Sequence, residues 1–216
     1  HTDFKIREVL LVHGTFMGND PFAIAEILNA ISGDGWVGKT LRSVADKITA
    51  NTKAIADKIS RDVGNYTKDY RDEFQKLVGS DPHVKIFEPT WSSQNHHNAR
   101  ADLAVRLLVQ LHELKLDPEH ERVLLWGHSH AGNGFALLSN LLANHAPSVD
   151  RFFAAAGDDP PKHWKQAQAI LKAEPSPSPL AKSVVIASFG TPVRYGWDTN
   201  GYHALIHVSH HRPEEK

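Results

Sequence analysis

The stretch Val123-Leu124-Leu125-Trp126-Gly127-His128-Ser129-His130-Ala131-Gly132 decides how this chain is read. Its four leading apolar residues make a short buried strand. Residues 133–145 follow with Phe135, Leu137, Leu138, Leu141 and Leu142, and predict a helix. A tight turn between strand and helix strains its central residue, so the neighbours must be small. Gly127 on one side, and Ala131 with Gly132 on the other, meet that demand. The turn pushes the Ser129 hydroxyl out at the end of the sheet. It also aims the first backbone N–H groups of the helix at whatever binds there.

Outward from this point, strands and helices alternate. Upstream, Val9-Leu10-Leu11-Val12 predicts a strand ending in the loop His13-Gly14-Thr15-Phe16-Met17-Gly18. Residues 21–32 predict a short helix. From Val37 to Leu77, apolar positions recur every three or four residues, which is helical, with Gly64-Asn65 as the break. Val84–Phe87 predicts a strand, and residues 99–113 a helix with Leu103, Leu107, Leu108 and Leu111 on one face. Downstream, residues 149–156 read as a strand that closes the core, and 162–173 as a polar helix. Pro175–Pro179 is turn-rich, and Ser183–Phe189 and Ala204–Val208 are the last strands. Continuous apolar strands alternating with helices imply a mostly parallel sheet covered on both faces. The expected fold is a three-layer α/β/α sandwich forming a single domain over 1–216, with a helical insertion at about 33–78.

Composition narrows the function classes. The chain has 216 residues and a formal net charge of -1. No global basic field exists to hold nucleic acid. No apolar run approaches the ~20 residues that span a bilayer. With Cys 0, disulfides, thiolate catalysis and cysteine-ligated metals are excluded. His203, His207 and His210 have helical ligand spacing and His96-His97 are adjacent, but no carboxylate or cysteine stands at a recognised ligand spacing, so no metal is expected. The start His1-Thr2-Asp3-Phe4 has no signal-peptide pattern, so a soluble protein is expected, with the cytoplasm favoured over other compartments. Oligomeric state is not legible.

The turn at Ser129 resembles the nucleophile elbow of the α/β-hydrolase superfamily, in particular its lipase and esterase branches. The usual pattern is Gly-x-Ser-x-Gly, and Ala131 stands where the second glycine is usual. Leu11-Val12-His13-Gly14-Thr15-Phe16 is similar to the His-Gly oxyanion loop of lipases, and Ser188-Phe189-Gly190-Thr191-Pro192 to a segment that ends the strand after the nucleophile. The resemblance spans about residues 9–192 through three short motifs. It implies a carboxylic ester hydrolase without a cofactor, acting on a small-molecule or lipid ester. Ser129 is then the nucleophile, and the N–H groups of Thr15 and His130 are the oxyanion donors.

The superfamily order is nucleophile, acid, histidine. Asp158, Asp159 and Asp198 are the acid candidates, and Asp198 is preferred because it lies just past a strand. Among His203, His207, His210 and His211, His210 is preferred as the base because it follows the final strand. The insertion reads either as packing on the core or as a lid. Its polar face mixes Lys47, Lys53, Lys58 and Arg61 with Asp46, Asp57 and Asp62, so it is no strictly basic membrane face, though interfacial contact stays open. Two other readings stand beside the enzyme: a non-catalytic binding or assembly module on the same scaffold, and a fragment lacking its catalytic histidine.

Overall fold

A computed structural model describes residues 5–14, 66–77 and 84–209. Five strands form one sheet: β1 (Lys5–Val12), β2 (Lys85–Phe87), β3 (Glu121–His128), β4 (Val184–Phe189) and β5 (Ala204–Val208). Their order is β2-β1-β3-β4-β5 and every pairing is parallel. The helices are α1 (Lys68–Leu77), α2 (His97–Glu113), α3 (His130–Leu142), α4 (Ala146–Ala154) and α5 (Lys162–Ala173), with 3₁₀ turns at Pro179–Ser183 and Thr199–Gly201.

The strand pleat sorts the core into two clusters. Leu10, Val12, Val123, Leu125, Val184 and Ile186 pack with buried residues of α2, α3, α4 and α5. Val9 and Leu11 pack with Tyr66 and with Phe74 of α1. Trp126 joins the second cluster: its indole N–H donates to Tyr70 Oη at 3.0 Å and its ring lies edge-on to Phe74. Helices therefore cover the sheet through alternate residues of the same strands. This is the α/β class that the continuous apolar strands predict. The expected helix at 21–32 and most of the insertion, including residues 33–65, lie outside the described residues.

One element differs. The sequence predicts a strand over 149–156 that closes the core, but Ala146–Ala154 is a helix. Pro147 stands in its first turn, where the missing N–H costs nothing, and Val149 and Phe153 are buried four residues apart on one face. The spacing, rather than the alanines, carried the information. β4 accordingly lies directly beside β3.

The strand order reverses once along the sheet. From β1 the chain proceeds to β2 on one side, and from β3 it proceeds through β4 to β5 on the other. The reversal falls between β1 and β3, and in open parallel sheets a crevice opens beyond the strand C-termini at such a switch point. The ends are level: Val12 pairs with Gly127, Gly127 with Ser188, and Ser188 with His207.

Candidate active site at the end of strand β3

Ser129 is the hinge between β3 and α3. Its backbone has φ 55 and ψ -126. No L-residue with a Cβ adopts this readily, and such strain typically costs about 1–3 kcal/mol. Packing holds it there. Its N–H donates to the Phe189 carbonyl at 2.8 Å, and its carbonyl accepts from Gly132 N–H at 3.1 Å. The small neighbours are obligatory. A Cβ on Gly127 would fall 2.4 Å from a Phe135 ring carbon, and one on Gly132 would fall 2.0 Å from Thr191 Oγ1. Thr191 belongs to the Ser188–Pro192 segment, which thereby packs on the elbow.

The end of β1 closes on the same point. A Cβ on Gly14 would lie 3.1 Å from Ser129 Cβ and 3.3 Å from the His128 carbonyl oxygen. His13, only 7 % exposed, stacks on Trp91 with ring centroids 5.7 Å apart. Thr15 is the next residue along, and it lies outside the described residues. The His130 N–H belongs to the first turn of α3, where backbone donors have no intrahelical acceptor.

His130 also presents its side chain. Its Nδ1 is 3.3 Å from Ser129 Oγ. Burial, with the Arg100 and Arg194 guanidiniums adding to it, holds the His130 pKa below the ordinary histidine value. Burial does the same to His128. Both imidazoles are therefore neutral near pH 7. The linkage sign follows. The unfolded chain takes up protons as pH falls through about 6.5, while the folded imidazoles still refuse them. Stability is thus expected to drop as pH falls below 6.5, and to stop dropping on this account below the depressed folded pKa values. His120 opposes this, because its hydrogen bond to Asp117 raises its pKa, but the pair is exposed and screened. Urea midpoints at pH 7.5, 6.5 and 5.5 check it: the decline should flatten in His128→Gln.

The relay candidates are dispersed. Asp198 accepts from Asn200 N–H at 3.0 Å and caps the 3₁₀ turn, and its own N–H donates to Ser139 Oγ at 3.1 Å. Ser139 is ten residues along α3 from Ser129, which is ~15 Å at the helical rise. The structure does not bring Asp198 to Ser129. Asp198→Asn should retain kcat/KM within about threefold, because Asn caps equally well; a fall of about 10⁴ would return Asp198 to the relay. Asp159 pairs with Lys165 at 2.9 Å, and both it and Asp158 lie in the loop before α5. His210 lies outside the described residues, as does His211. His207 is on β5, where its Nδ1 is 2.7 Å from the buried Ser188 Oγ. His203 precedes the same strand, so the helical ligand spacing of 203 and 207 becomes ~13 Å of extended chain.

Several buried polar groups are not marked by any sequence pattern. Among the described residues, buried Trp91 Nε1, Ser93 Oγ, Arg100 Nε, His128 Nδ1, His130 Nε2 and Thr191 Oγ1 have no hydrogen-bond partner. Each such group typically costs about 1–3 kcal/mol unless something occupies its free position. One signal was available. Arg100 interrupts the apolar stripe that continues through Leu103, Leu107 and Leu111. A cavity of about 420 Å³ lies farther down α3, between Asp102, Leu137, Phe152, Trp164 and Tyr195. Burial works to raise the Asp102 pKa, but hydrogen bonds from Arg106, Trp164 and His163 outweigh it and keep the carboxylate ionised.

No protein-family model, curated protein or solved structure matches the chain. No helix among the described residues is long and apolar enough to cross a membrane.

Proposed function

We propose that the chain is a serine hydrolase of carboxylic esters, built as a three-layer α/β-hydrolase-like sandwich with a helical insertion at about 33–78. The observation that carries this reading is the backbone of Ser129 at φ 55 and ψ -126, between a buried parallel strand and a helix N-terminus. Stored strain at a solvent-reachable hydroxyl has no packing purpose, since glycine would fill the position at lower cost.

Ser129 Oγ attacks the ester carbonyl carbon. The carbonyl oxygen becomes an oxyanion held by the N–H groups of Thr15 and His130, each donor typically worth about 3–4 kcal/mol in the transition state. The close approach of Gly14 to Ser129 supports the Thr15 assignment, because the following peptide starts beside the reacting centre. His210 removes the serine proton and returns it to the leaving alcohol. Water then cleaves the acyl-enzyme by the reverse transfer. In support, β5 ends level with β3 and only two strand spacings away, roughly 10 Å, and His210 follows that end by two residues. No cofactor enters this chemistry.

A second assignment of the base rests on a specific contact. Neutral His130, with Nδ1 3.3 Å from Ser129 Oγ, is itself a proton acceptor. Single-turnover hydrolysis of p-nitrophenyl butyrate by His210→Ala and His130→Ala separates the two. The His210 reading expects a loss of at least about 10³-fold in the first variant and a much smaller loss in the second. The reverse ranking transfers the role to His130. Hydrolysis undiminished in both would remove the histidine relay altogether.

A further inference from the structure

Arg100 is 1 % exposed, and its guanidinium occupies the core stripe of α2. Its Nε is unpartnered, and its side-chain partner is the Asn95 amide oxygen. Among the described residues no carboxylate pairs with it. A buried cation without a counter-charge is strongly unfavourable, so its retention asks for an anion that arrives from elsewhere.

Its level in the fold says where. Leu103 packs so closely on α3 that a Cβ on Gly134 would fall 2.5 Å from Leu103 Cδ2. The two helices run side by side from the same end of the sheet, so Arg100, one turn before Leu103, stands level with the first turn of α3, at Ser129–Ala131. Two buried side chains on the segment leading into α2 can donate hydrogen bonds. Trp91 Nε1 and Ser93 Oγ have no hydrogen-bond partner among the described residues, and Trp91 is stacked on His13 at the end of β1. Ser93 is fully buried and, like Ser129, is held at φ 55. The exposed Arg194 adds positive potential at His130, as the buried Arg100 does. Indole and guanidinium N–H groups are donors only, so a neutral alkyl chain satisfies neither.

We propose that the ester hydrolysed at Ser129 carries an anionic oxygen group, a carboxylate or a phosphate, which Arg100 holds together with Trp91 Nε1–H and the Ser93 hydroxyl. This deepens the serine-hydrolase reading and rests on it. Charge-assisted bonds to a buried guanidinium are the strong kind, and removing one leaves the anion buried without compensation.

The test compares kcat/KM for neutral p-nitrophenyl butyrate, for mono-p-nitrophenyl glutarate, and for an acyl ester of glycerol phosphate. The carboxylate and phosphate arms identify which anion is taken. The wild type is expected to prefer one anionic ester. Arg100→Met should lower the anionic-to-neutral ratio by about 10–100-fold, Arg100→Lys by less, and the surface variant Arg194→Ala by about threefold. A ratio unchanged in Arg100→Met overturns the proposal. If Arg100→Met does not fold, an unchanged ratio in both Arg100→Lys and Arg194→Ala does so. A binding arm needs no turnover: Ser129→Ala is titrated with glutarate and with inorganic phosphate while the Trp91 indole N–H resonance is followed. A saturable shift that Arg100→Lys weakens supports anion capture even if no ester is cleaved, in which case the hydrolase reading alone fails. No shift with either anion means that water alone fills the donors, and the proposal falls.

Discussion

Ser129→Ala is expected to lower kcat/KM for an activated ester by at least about 10⁴-fold while leaving the unfolding midpoint unchanged. The activity loss follows from the loss of the attacking oxygen. What remains is binding and the two N–H donors, and these alone sustain only the residual rate seen when a nucleophile is deleted from a preorganised site. The unchanged stability follows from the backbone. Alanine keeps the Cβ, so φ 55 and ψ -126 cost the same in both chains. Ser129→Gly provides the contrast. It should be equally inactive but more stable, by an amount on the order of 1 kcal/mol, because glycine adopts positive φ without strain. Thermal melts of the three proteins, run beside the kinetics, read both effects.

The largest stability effect is expected from Gly201→Ala. The turn Thr199–Gly201 is docked on α3 so closely that an added Cβ would lie 1.8 Å from the Ser139 carbonyl oxygen, 2.5 Å from its carbon and 2.7 Å from its Cα. All three are backbone atoms in the middle of a helix, so no rotamer change relieves the overlap. Either α3 or the turn moves, and the turn is fixed by the Asp198 cap and by the Asp198 N–H bond to Ser139 Oγ. The cost should be about 3 kcal/mol or more, at the upper end of overpacking. Gly196→Ala, in the same loop, meets nothing within 4 Å and should be neutral. Equal unfolding midpoints for Gly201→Ala and Gly196→Ala in urea would show that the turn is not anchored as described.

How far the sequence went depended on how local each signal was. The elbow was legible because the sterics of one tight turn select its neighbours: Gly127 faces Phe135, and Gly132 faces Thr191. β4, β5 and α5 were legible from apolar runs and helical spacing, with ends close to those observed. Residues 149–156 were misread because three alanines carry little preference, while the Pro147 start signal lay just upstream. Asp198 was chosen by chain order, but order does not say that the loop after β4 descends to Ser139 before β5 begins. Arg100 and Ser93 went unnoticed because burial of a polar side chain is a property of the packed fold, and no spacing rule marks it.

The proposed chemistry requires the strained Ser129 hydroxyl to be a nucleophile. Its most direct measurement is the intact mass of the folded chain after reaction with a fluorophosphonate probe, followed by mapping of the modified peptide. The account predicts a single stoichiometric adduct on Ser129, absent after heat unfolding and absent in Ser129→Ala. An unmodified mass for the folded wild type, or an adduct on another residue that persists in Ser129→Ala, would contradict it.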